Sequence, residues 1–403
     1  MSGRFPNFNE QETRMGKKMN WLGAALLAVG MVGAAQAQTV KVGIIAPFSG
    51  PFAHYGTLFR AGAEAYVASQ GGKIAGQNIE FVWRDEGGPN PANTRTLAQE
   101  LVVKDKVDYI GGIVFSPNAS AVAPVIQESK TPMVIFNAAT SDITTKSDYY
   151  IRTSYTLWQV TVPAAQHAAK KGYKRVVTAV SDYAPGIDAE TAFKAEFSKL
   201  GGQVTESIRM PVRTTDFAPF AQRIKASGAQ AVYVFLPGGP PNLGFVKAYQ
   251  ENGLRQAGIE FLGTAETDEF DLQKFGDSAL GLTTLFHYSG ARDSAANKAF
   301  VAAVNKQNKE AVINYATVGA WDGMYVIHKM IEATGGKRDG DKAMAAAKTL
   351  KWESPRGPVA IDPNTRHITQ NVYLRVVEKG AGGLLINKEV QTFPAQVDHG
   401  LVK

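Results

Sequence analysis

Between residues 40 and 264 short apolar runs alternate with longer amphipathic segments, and this rhythm restricts the fold more than any other feature of the chain. Strands are expected at 40–46, 79–85, 107–114 and 132–138, with helices over 55–70, 91–104 and 117–128. After "DYYIRTS" (148–154) the rhythm restarts: helices at 158–171, 186–199, 216–227 and 242–252 interleave with strands at 175–181, 203–210, 231–237 and 259–264. Strands joined by helices run parallel, and a parallel sheet needs helices on both faces to bury it. The sequence therefore reads as α/β, with two doubly wound parallel-sheet lobes. The tail departs from the pattern, with a strand at 281–289, helices at 295–308, 315–334 and 340–349, and a hairpin over 357–380 around "DPNTRH". It forms either a small third domain or a return of the chain that completes each lobe.

The N-terminal stretch has another purpose. Lys17–Lys18 precede the apolar run "WLGAALLAVGMVGAA", which ends in Ala35-Gln36-Ala37. A basic segment, a short apolar core and an A-x-A site are the marks of a secretory signal peptide, with cleavage expected after Ala37. The run is shorter than the ~20 residues a membrane-spanning helix needs. Residues 1–14 read as an upstream extension, with Met15 or Met19 as the start. The 403 residues include no cysteine, which excludes disulfides, thiolate chemistry and a lipid-anchored N-terminus. A periplasmic location follows.

Composition narrows the function by exclusion. The formal charge of +7 comes from scattered Lys and Arg rather than from a basic stripe, so nucleic acid is not an expected partner. No strand is followed by G-x-G-x-x-G or by a phosphate-binding G-x-x-x-x-G-K-[ST], and there is no G-x-S-x-G elbow. The six histidines (54, 167, 287, 328, 367 and 399) lack metal-ligand spacing. The acid pairs Asp85–Glu86 and Asp268–Glu269 read as solvated. No catalytic set is visible, and neither an enzyme nor a cofactor is expected.

In open α/β sheets, ligands bind beyond the C-terminal ends of the strands. Four loops lie there: "PFSGPFAHYG" (47–56), "VFSPNAS" (114–120), "FNAATSD" (136–142) and "SDYAPG" (181–186). The first three carry small and hydroxyl residues with almost no charge. Such loops suit a carboxylate held by backbone N–H groups and hydroxyls without a formal counter-ion.

These segments, with "VYVFLPGGPPNLGFVKAYQENGL" and "FGDSALGLTTLFHYS", resemble the leucine/isoleucine/valine-type solute-binding proteins of ATP-binding cassette importers, which have the type I periplasmic-binding fold. The resemblance runs through essentially the whole mature chain. It implies three crossovers, near 153–157, 286–290 and 352–357. The expected divisions are then 1–37 (extension and signal peptide), 38–155 plus 288–354 (N-terminal lobe) and 156–287 plus 355–403 (C-terminal lobe). It also implies hinge closure over a small-molecule carboxylate, and docking of a monomer on a membrane permease. By the same resemblance, solute contacts fall at Tyr55, at Ser116 and Asn118 in the second loop, at Ala138 and Thr140 in the third, and at Tyr183, Gly239 and Pro240 across the cleft. Pro240 stands where the family commonly has Tyr.

Glu266 in "GTAETDEF" lies near the acid that grips an α-ammonium group, and is either that group or a solvated loop acid. The solute is accordingly an aromatic or other organic acid, or a branched-chain or related amino acid. Phe52, Tyr55 and Trp158 either stack on an aromatic solute or pack as core, packing being favoured for Trp158. Asp322 reads as structural. A ligand-sensing domain and an enzyme on the same scaffold are the competing functions.

Overall fold

A computed structural model describes residues 1–3 and 39–401, so the signal-peptide reading lies outside the described residues. The first sheet comprises β1 (Thr39–Ala46), β2 (Lys73–Ile74), β3 (Gln77–Asp85), β4 (Tyr109–Gly112), β5 (Met133–Ile135) and β6 (Tyr150–Arg152), in the order β2-β3-β1-β4-β5-β6. All its pairings are parallel except that of the short β2. The central β1 is buried almost throughout, as expected of a strand covered on both faces. Its helices are α1 (His54–Ser69), α2 (Pro91–Val103) and α3 (Ser116–Ser129). At the start of α2, Asn90 accepts from the Asn93 N–H (3.2 Å) and Pro91 occupies the first turn, where a missing N–H costs nothing.

The second sheet is built from β7 (Arg175–Ser181), β8 (Gln203–Met210), β9 (Ala231–Phe235), β10 (Glu260–Gly263) and β11 (Thr283–Phe286), all parallel to their neighbours among themselves. Its helices are α4 (Leu157–Lys170), α5 (Ala184–Lys199), α6 (Ala218–Ala226) and α7 (Pro240–Glu251). The chain then returns to the first lobe as α8 (Ala295–Gln307), α9 (Tyr315–Thr334) and α10 (Gly340–Ala347). Helix α9 packs so closely on α1 that a Cβ on Gly62 would lie 2.2 Å from the Thr317 carbonyl oxygen, a contact only glycine permits. A last passage adds β12 (Lys351–Ser354), β13 (Gly357–Ile361), β14 (Ile368–Lys379) and β15 (Leu385–Gln396), antiparallel, to the edge of the second sheet. The tail is thus shared between two lobes and forms no third domain. Residues 351–354, which the sequence places in the first lobe, pair instead with β13, so the chain enters the second sheet ahead of the expected boundary. Strand β15, unread in the sequence, pairs along β14.

The three passages between lobes meet at one side chain. Arg356, fully buried on the third, donates from Nη2 to Asp322 Oδ2 on α9 (2.6 Å) and to the Thr153 carbonyl of the first (2.7 Å). Its Nη1 donates to the Ser154 carbonyl (3.1 Å) and to Gln370 (3.0 Å), and lies 3.3 Å from His287 Nδ1 on the second. A buried guanidinium is tolerable only with its donors satisfied in this way. Asp322 is structural, as expected.

Candidate functional site

At the C-terminal ends of both sheets the loops close over a narrow void of about 10 Å³, room for roughly one water, so the lobes must part to admit a solute. Four tyrosines (55, 155, 183 and 315) and two phenylalanines (115 and 235) line it, with small and apolar residues between them. No Asp, Glu, Lys, Arg or His lines it. Tyr55 is carried on the first turn of α1 and Tyr315 on that of α9, where Asn314 caps the helix by accepting from the Ala316 and Thr317 N–H groups (both 3.1 Å). The two hydroxyls lie 2.5 Å apart, and the Gly238 N–H of the opposite lobe donates to Tyr55 (3.1 Å). Burial pushes all four tyrosine hydroxyls above their ordinary pKa, so they stay protonated and able to donate.

Further contacts hold the lobes together. Asn314 donates to Asp268 Oδ1 (2.8 Å), the Ser141 N–H donates to Asp188 (2.8 Å), and the His54 ring stacks on Phe270 with centroids 4.6 Å apart. Beside the void, Ile113 has φ of +59°, which a β-branched residue adopts only at a cost of about 1–3 kcal/mol. That strain turns the backbone into the Val114–Phe115 segment lining the void.

Of the residues expected from the sequence, Tyr55 and Tyr183 line the void, and the others stand around it. The Ser116 hydroxyl accepts from the Ala139 (3.2 Å) and Thr140 (3.1 Å) N–H groups and ties the second loop to the third. The Ala138 N–H is spent on the Ile113 carbonyl (3.1 Å), while its neighbours Asn137 and Ala139 reach the void. Thr140 is buried with its hydroxyl unpartnered. Asn118 points behind the wall, donating to Glu86 (2.7 Å) and to the Gly88 carbonyl (2.9 Å). Gly239, at φ of +86°, abuts His54, and Pro240 opens α7 on an outer groove rather than on the void.

Glu266 is fully buried and faces its own lobe. Its carboxylate accepts from the Leu236 N–H (3.0 Å), the Thr264 N–H (2.5 Å) and the Thr264 hydroxyl (3.2 Å). Burial raises its pKa to about 7, against the pull of these donors. Glu86, expected to be solvated, is its counterpart in the first lobe. Buried, and also raised to about 7 by burial, it accepts from Asn118, from the Thr94 hydroxyl (3.3 Å) and from the Val114 N–H (3.4 Å). Asp268 is likewise buried, not solvated.

The residues missed by sequence reasoning are Tyr155, Tyr315, Phe115, Phe235 and Asn137. All lie within one or two residues of a strand end or helix start, which was the available signal. A wider hollow of about 370 Å³ is walled in part by Asp108, Lys130, Arg338 and Asp341. Its charges pair with one another (Arg338–Asp108 2.6 Å, Lys130–Asp341 3.2 Å), as on an ordinary solvated surface. Among the described residues no group of side chains has the makings of a metal site, and no helix is long and apolar enough to cross a membrane.

Comparison with known proteins agrees with this geometry. A family model described as periplasmic binding protein matches residues 39–382. The chain is 53% identical over 370 residues to Leu/Ile/Val-binding protein homolog 6 of Brucella melitensis, covering 91% of this chain and 95% of the relative. It is 56% identical, with a TM-score of 0.88, to a solute-binding protein of an ABC transporter from R. palustris solved in complex with 4-hydroxybenzoate, covering 91% of this chain and all of that one. A third, from Rhodopseudomonas palustris BisB5 in complex with 3,4-dihydroxybenzoic acid, is 43% identical with a TM-score of 0.86 and covers 90% and 99% of the two chains. The leucine-binding protein of Thermotoga maritima, at 22% identity and a TM-score of 0.76, shares the fold. The chain belongs to the periplasmic binding protein family, as a solute-binding protein of the leucine-binding type that serves ABC transporters.

Proposed function

We propose that this periplasmic solute-binding protein captures an aromatic carboxylic acid of the hydroxybenzoate class between its lobes and presents it to the permease of an importer. The observation that carries the reading is the uncharged aromatic wall of the void, together with Glu266 turned onto main-chain N–H groups. An α-ammonium shut into such a void would lack a counter-charge, at high cost. A planar aromatic acid needs none: its ring lies among Tyr55, Tyr155, Tyr183, Tyr315, Phe115 and Phe235. Its carboxylate takes the first-turn N–H groups of α3 or α5, where helix starts favour anions. Ser116, Ala138, Thr140 and Asn118 shape the loops that present these groups, and Gly239 and Pro240 shape the opposite wall. The 4-hydroxybenzoate and 3,4-dihydroxybenzoate complexes of the similar proteins support the same class. The segment ending at Ala37 is proposed as the cleaved signal peptide.

Calorimetry with 4-hydroxybenzoate, benzoate and leucine tests the proposal. The aromatic acids are expected to bind and leucine to give no heat. Tight leucine binding without aromatic binding would overturn it.

A further inference from the structure

The cleft mouth is closed by a pair of rings that belong to opposite lobes. His54 opens α1, and its imidazole stacks on Phe270 with centroids 4.6 Å apart and planes inclined by 24°. Its other neighbour is the Tyr55 ring at 4.4 Å. Beneath, the Gly239 backbone comes so near that a Cβ there would lie 2.5 Å from His54 Cε1. Tyr55 lines the void, whereas His54 and Phe270 line an outer groove of about 530 Å³ with Pro51, Pro240 and Leu243. The stack therefore stands in the wall between solute and solvent. Among the described residues neither imidazole nitrogen has a hydrogen-bond partner, so ring contact is what His54 contributes.

We infer that His54 is a latch: a positioning residue that lines no part of the solute void, yet sets how long a bound solute is retained, and does so only while its ring is neutral. The inference rests on the proposed closure over an aromatic acid. The charges facing the ring all sit on the second lobe. Lys274 lies 4.6 Å from the centre of the Phe270 ring and is paired with Asp271 (2.7 Å), and Lys247 stands on the groove wall. A protonated imidazole would meet the Lys274 ammonium and lose solvation. Burial first, and Lys274 second, lower the His54 pKa to about 4 in the closed form.

Opening frees the ring and returns its pKa towards the ordinary value of about 6.5. Because the closed-state pKa is the lower, the latch is at full strength above pH 6.5 and weakens as the pH falls towards 4. At pH 5.5 this linkage amounts to about a tenfold loss of affinity. Glu86, Glu266 and Asp188 titrate in the same window, so the His54 share is isolated by substitution.

The test is stopped-flow fluorescence with 4-hydroxybenzoate at pH 7.5 and 5.5, on wild type, His54→Ala and His54→Phe. Loss of the stack in His54→Ala is expected to speed release roughly three- to tenfold with association little changed. His54→Phe, which keeps a ring but cannot titrate, is expected to restore slow release and to remove about tenfold of the affinity lost between the two pH values. Unaltered release in His54→Ala overturns the latch. A His54→Phe protein with the pH loss of wild type overturns its dependence on a neutral ring. If wild type does not bind 4-hydroxybenzoate, the solute reading fails instead, and the three proteins are compared with leucine, against which the same two outcomes decide the latch.

Discussion

Each lobe backs its half of the cleft with one buried glutamate, but the two are held differently. Glu266 is fixed largely by main-chain N–H groups of Leu236 and Thr264, which only a proline substitution would remove. Glu86 relies on the side chains of Asn118 and Thr94, with one long main-chain bond from Val114. Both carboxylates grip a loop that lines the void, Leu236 on one side and Val114 on the other. An acid at the end of a strand can thus be scaffolding rather than a ligand contact. The second lobe's scaffold is written into the backbone, and the first lobe's into replaceable side chains.

The largest effect sets the scale for that comparison. Arg356→Met leaves the Asp322 carboxylate buried without its partner and is expected to cost about 3–5 kcal/mol, read by urea unfolding. A loss no larger than those at the glutamates would mean that a salt-bridged acid and a backbone-bonded one are held equally firmly.

Next in size is pH. Both glutamates have folded-state values near 7, above the unfolded value, so the folded protein binds more protons than the unfolded one between about pH 4.5 and 7. Their contribution is present at low pH and lost as pH rises through 7, by about 3 kcal/mol for each group as an upper figure. Urea unfolding from pH 5 to 8 reads the slope, and Glu86→Gln or Glu266→Gln should each remove one share.

At fixed pH, Glu266→Gln turns an amide NH₂ towards a backbone N–H and should cost roughly 2 kcal/mol of stability. Glu86→Gln should cost about 1 kcal/mol, since Asn118 and Thr94 can turn their polar groups to suit. Equal losses would erase the distinction drawn above. Affinity for 4-hydroxybenzoate should change little in Glu266→Gln; a collapse by calorimetry would put the acid back in the site.

The smallest effect concerns the void itself. Tyr315→Phe removes the hydroxyl beside Tyr55 and should weaken aromatic-acid binding by about 0.5–1.5 kcal/mol.

Periodicity made most of this architecture legible. Strands β7 and β8 and helix α9 fall where the sequence places them, because long amphipathic segments and buried apolar runs dictate their own conformation. Strand β15 escaped because only Leu385 and Asn387 are buried in it, so no apolar run marks it, and its pairing with β14 is interrupted. At the site, Tyr55 and Tyr183 were readable from loops that follow strands, but Tyr155 arrives on a crossover and Tyr315 at the start of α9. Tyr315 meets a partner 260 positions away, a distance at which local pattern carries no information. The role of Glu266 was hidden for another reason: two of its donors are main-chain N–H groups, which have no letter in the sequence.

The contact between Gly62 and Thr317 has a consequence for the order of assembly. The first lobe has the earlier residues, yet the helix that covers α1 ends only at Thr334, after every parallel strand of the second sheet. A chain released from its N-terminus can pair β7 to β11 over short separations while α1 still lacks its neighbour. Closing a loop of that length carries a large entropic cost before any contact offsets it. Each lobe therefore waits for a returning segment, the first for α9 and the second for β12 to β15.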